Sequence, residues 1–88
     1  MDKLEVKVVV ESRFKELGAN KLSLQPSGDC WTLNGEFFRV CLLKDFWVIE
    51  WTGNYSYALG NCYEDTDIMP YKMSREEIIQ YIDEMLLR

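Results

Sequence analysis

The dipeptide Asn34-Gly35 constrains this chain more than any other feature, because it stands between two apolar, alternating runs, Cys30 to Leu33 and Glu36 to Leu43. Both residues accept positive φ, which a two-residue hairpin turn demands, so the two runs are expected to pair as antiparallel strands. The hairpin has sequence neighbours that extend it. Leu22-Ser23-Leu24 alternates upstream, with Pro26-Ser27-Gly28-Asp29 as a turn between. Downstream, Lys44-Asp45 turns into Phe46–Thr52, where Trp47, Ile49 and Trp51 share one face and Phe46, Val48, Glu50 and Thr52 the other. Apolar residues on both faces predict an internal strand with helices against at least one side.

Helices are expected at the two ends. From Leu4 to Leu17 a strand-like alternation (Leu4, Val6, Val8, Val10) competes with a helical stripe (Val6, Val9, Val10, Phe14, Leu17). The helix is favoured: Gly18 sits where a C′ residue belongs, Lys15 lies in the last turn, and Glu11 and Lys15 are spaced i,i+4. Ser74-Arg75-Glu76-Glu77 is a capping box, and the helix it opens carries Ile78, Ile79, Ile82, Met85 and Leu86 on one side. Between these, residues 55 to 61 fit either a further strand or a short helix capped by Asn54 and stopped by Gly60-Asn61. Glu64-Asp65-Thr66-Asp67 followed by Met69-Pro70 reads as a polar loop. The expected fold is a single α+β domain over residues 1–88: an N-terminal helix, an antiparallel meander of three to five strands, and a C-terminal helix packed on the sheet.

Function is bounded first by exclusion. The 88 residues include no histidine, so Ser-His-Asp and Cys-His nucleophiles, HExxH metal sites and imidazole acid–base chemistry are unavailable. The five glycines are scattered singly and build no phosphate cradle. Cys30, Cys41 and Cys62 lack CxxC spacing, which argues against both a disulfide framework and a zinc site. Cys41, in the most apolar run, is expected to be a small buried hydrophobe. No apolar run approaches the ~20 residues of a membrane span, and Met1-Asp2-Lys3 is unlike a signal peptide, so a cytoplasmic, membrane-independent protein is expected. No cofactor is implied.

Charge points the other way, toward a partner. The net charge is −5, and residues 26–73 hold three bases against seven acids. Such a surface repels nucleic acid and favours a cationic macromolecule. Nine of the twelve aromatics lie between Trp31 and Tyr63 with only Arg39 and Lys44 among them, a pattern of core filling rather than base stacking. The acidic segment fails as an EF-hand, with Thr66 where glycine is needed and Lys72 where the bidentate glutamate belongs. A carboxylate pair such as Glu50 with Asp65 could serve as acid and base only if the fold brought the two together.

The series Val48-Ile49-Glu50-Trp51, Asn54-Tyr55, Ala58, Tyr63-Glu64-Asp65, Asp67, Tyr71 and Ser74-Arg75-Glu76-Glu77-Ile78-Ile79 resembles the C-terminal half of small acidic immunity proteins encoded beside bacterial polymorphic or contact-dependent toxins. The resemblance spans residues 48–87. It implies a non-enzymatic inhibitor that binds a cognate basic toxin, such as a nuclease, with Glu50, Glu64, Asp65 and Asp67 in the acidic positions. Tyr55, Tyr57 and Tyr63 are expected at the rim of that patch as anchoring area. The alternative is an interaction subunit of another cytoplasmic system, for instance a homodimer formed through a sheet edge.

Overall fold

The computed structural model describes residues 1–26 and 28–86; Ser27 of the expected first turn and Leu87, at the end of the resemblance, lie outside the described residues. Helix α1 (Lys3–Glu16) leads into strands β1 (Asn20–Leu24), β2 (Gly28–Leu33), β3 (Glu36–Leu42) and β4 (Phe46–Thr52), then a short helix α2 (Tyr55–Leu59), strand β5 (Asp65–Pro70) and helix α3 (Arg75–Leu86). The strands form one antiparallel sheet in the order β1-β2-β3-β4-β5, each pairing with its neighbour in sequence. This is the expected α+β meander between terminal helices, with the full five strands.

Local signals explain most of these boundaries. At Asn34 and Gly35 φ is +52° and +79°, the left-handed conformations that the hairpin between β2 and β3 requires. Helix α1 begins with a capping box in which the Asp2 side chain accepts from the Glu5 N–H and Glu5 reaches back to the Asp2 N–H. It stops at Gly18, whose φ of +89° only glycine adopts without strain. The Ser74–Glu77 box opens α3 as the sequence implies. Asn54 caps α2 through its Oδ1, which accepts from the Ser56 and Tyr57 N–H groups, so residues 55–59 are helical.

Two expectations are corrected. The segment after Glu64 is not a loop: Asp65–Pro70 is an edge strand whose Met69 packs opposite Trp47. An edge strand needs only one buried apolar side chain to be anchored, and its polar residues are tolerated because half of it faces water. Cys30, not Cys41, is the buried thiol: it lies in the cluster with Ala58 of α2, to which Cys41 does not belong, and Cys41 is half-buried. The i,i+4 partner expected for Glu11 also differs, since its carboxylate lies 3.5 Å from Lys21 Nζ on β1.

The two faces of the sheet are built differently. Helices α1 and α3 lie side by side over one face and bury Phe38, Trp47, Ile49 and Trp31 beneath Val6, Val10, Phe14, Ile78 and Ile82. Phe14 stacks on Trp31 with ring centroids 5.5 Å apart. Arg13 joins the two helices by donating from Nε and an Nη nitrogen to both oxygens of Asp83, each at 2.8 Å. The opposite face carries α2, whose Ala58 is buried against Leu24, Cys30 and Phe37, with Tyr63 packed beside them. No helix among the described residues is long and apolar enough to cross a membrane.

Candidate functional site

Alternation along β5 sends Asp65, Asp67 and Met69 to the helix-covered face and Thr66, Ile68 and Pro70 to the other. On the helix side the strand runs beside α3, and a cleft of about 320 Å³ opens between them, lined by Glu36, Ile49, Trp51, Asp65, Asp67 and Met85. A second hollow, lined by Asp67, Ile68, Met69, Tyr81, Glu84 and Met85, shares Asp67 and Met85 with the first and continues it along α3. The floor is apolar and the rim anionic. Four carboxylates from three elements reach it: Glu36 of β3, Asp65 and Asp67 of β5, and Glu84 of α3.

Neutral donors hold three of these acids in place. The Trp51 indole donates to Glu36 Oε1 at 3.2 Å, the Gln80 amide to Glu84 Oε1 at 3.1 Å, and the Tyr81 hydroxyl to Asp67. A neutral donor positions a carboxylate without cancelling its charge. No lysine or arginine lines the cleft among the described residues.

The other predicted residues fall elsewhere. Glu50 faces the opposite side of the sheet, in a row with Arg39 and Thr66, and its Oε1 is 3.9 Å from Arg39 Nε. The Cys41 thiol donates to the same oxygen at 3.5 Å, while Arg39 also donates to the Asn61 side chain. Burial pushes the Cys41 and Cys30 thiols above their ordinary values, which keeps them protonated and poor nucleophiles. Tyr63 turns inward beside Cys30, and burial pushes its hydroxyl up to about 12. Tyr55 and Tyr57 are exposed on α2, with Tyr55 edge-on to Phe37.

Glu64 proves to be a clamp. Its Oε2 accepts from the Thr52 hydroxyl at 2.7 Å and the Gly53 N–H at 3.1 Å, bonds that hold its carboxyl below the usual glutamate range. Thr52, fully buried, in turn accepts from the Asn54 N–H, so this chain of bonds fixes the entry to α2.

The seven predicted residues therefore do not share one surface. Asp65 and Asp67 meet in the cleft; Glu50, Tyr55, Tyr57 and Tyr63 lie on the far face, and Glu64 secures a turn. The condition set for Glu50 and Asp65 to act as acid and base, that the fold bring them together, is not met, because β4 and β5 direct them to opposite sides of the sheet. Sequence reasoning missed Glu36 and Glu84. The parity of β3 carried the signal for Glu36, which alternates with Phe38, Val40 and Leu42 toward the helix layer, but it gains meaning only once β5 is recognised as a strand.

Among the described residues no group of three His, Cys, Asp or Glu side chains is placed to hold a metal ion. No family model, no curated protein and no solved structure matches the chain. Fold and cleft together define an α+β domain with an acidic, apolar-floored channel between its last strand and last helix.

Proposed function

We propose that this protein is a non-enzymatic binding module that takes a cationic segment of another protein into the α3–β5 cleft. In line with the resemblance of its C-terminal half to toxin immunity proteins, the partner is read as a basic toxin, such as a nuclease, that the bound protein neutralises. The observation that carries this reading is the convergence of Glu36, Asp65, Asp67 and Glu84 around the apolar floor of Ile49, Trp51 and Met85. Negative charge at the rim speeds encounter with a basic protein and rejects anionic competitors, while the apolar floor supplies contact area. The chemistry of the far face supports binding over turnover, since burial raises the Cys30 and Cys41 thiols and the one central acid there, Glu50, lies 3.9 Å from Arg39.

The test is genetic. The product of the reading frame beside this gene is expressed in a heterologous host with and without the protein. Growth arrest by that product, relieved by the protein and not by an Asp65→Lys, Glu84→Lys double variant, is the expected outcome. Equal growth with and without the protein would overturn the toxin reading.

A further inference from the structure

We infer that the cationic segment docks as an added strand on β5, a conclusion that rests on the binding role proposed above and specifies its geometry. Strand β5 is the last in the sheet and, among the described residues, pairs only with β4, so alternate N–H and C=O groups along its residues 65–69 point away from the ladder; Pro70 has no N–H and its carbonyl accepts from the Trp47 indole. Added strands exploit such a row: main-chain bonds supply affinity, and alternate side chains supply specificity.

The two sides of β5 prescribe those side chains. Next to Asp65 and Asp67, with Glu84 beyond, a neighbouring strand would place residues over the acidic cleft, where lysine or arginine is matched. Next to Ile68, which is 67% exposed, the intervening residues meet an exposed apolar side chain, with Phe46 exposed on the same face of β4. The occupant is thus a strand alternating basic and apolar side chains over about six residues, the length β5 offers.

Two comparisons within the molecule favour this occupant. The other edge strand, β1, offers a cationic partner no such match: its one charged residue, Lys21, is itself basic and already lies 3.5 Å from Glu11, and Ser23 donates to Asp29. Its apolar residues, Leu22 and Leu24, are already packed in the cluster beneath α2. A second copy of the chain is disfavoured by charge instead, because it would bring together two β5 edges that each carry Asp65 and Asp67, on two chains of net charge −5.

The probe is a capped peptide of alternating lysine and valine, titrated into the intact protein at low salt, with a backbone N-methylated peptide of the same sequence as control. The lysine–valine peptide is expected to bind, to slow hydrogen exchange of β5 amides, and to lose affinity about tenfold on N-methylation or in an Asp65→Asn, Asp67→Asn variant. Equal binding of the N-methylated peptide, without protection of β5, overturns strand addition and leaves the cationic-partner reading standing. Failure of both peptides to bind at low salt overturns both readings.

Discussion

The same five strands present two unlike faces, and the contrast shows that the roof, not the strand, decides what becomes core. Toward α1 and α3, Phe38, Trp47 and Ile49 are at most 2% exposed. Toward the opposite side, Phe46 and Ile68 alternate with those core positions yet stay exposed, because α2 spans only five residues and does not cover that end of β4 and β5. Side-chain parity assigns each residue to a face; helix length then settles how far that face is dried.

Core truncation should break the symmetry most sharply. Trp47→Ala should cost about 3–5 kcal/mol, since a fully buried ring leaves a cavity, whereas Ile68→Thr on the bare side should change stability by no more than about 0.5 kcal/mol. Urea midpoints of the two variants measure this, and similar losses would show the faces to be energetically alike. Next comes the hairpin that joins β2 to β3 and so serves both faces: Gly35→Ala, at φ +79°, should destabilise by about 1–2 kcal/mol by the same assay.

The helix caps refine the comparison. Ser74→Ala should lower global stability by about 1 kcal/mol, because α3 roofs the core. Asn54→Ala should instead fray α2, with amide exchange accelerating at Ser56 and Tyr57 before the sheet is affected. The smallest effect is a pH dependence. Asp83 is held below the ordinary aspartate range by hydrogen bonds from Arg13, so its contribution is complete above the ordinary aspartate value and is lost as pH falls through the depressed one. Asp83→Asn should flatten the acid limb of the stability curve, measured by thermal unfolding between about pH 2 and 5.

Features with local physical causes were legible in the sequence. The Asn34-Gly35 turn, the Ser74 box and the Gly18 stop each depend on a backbone requirement that few residues meet, and the split between Trp47, Ile49, Trp51 and their neighbours follows from parity alone. Strand β5 was hidden because Glu64-Asp65-Thr66-Asp67 carries the composition of a loop, while its strand character depends on β4 lying alongside. The candidate site was legible only in part for the same reason: Asp65 and Asp67 were identified, but Glu36 and Glu84 join them through pairings between distant segments. Cys30 displaced Cys41 as the buried thiol because α2 settles over β2, a choice made by tertiary packing.

The bridge from Arg13 to Asp83 spans seventy positions, whereas every strand finds its mate next door in the chain. During synthesis the meander can therefore zip up step by step, but Trp47, Ile49 and Met69 stay wet until α3 has left the ribosome. A nascent chain arrested before Ser74 would display a sticky, tryptophan-bearing slab, the kind of surface that chaperones exist to shield.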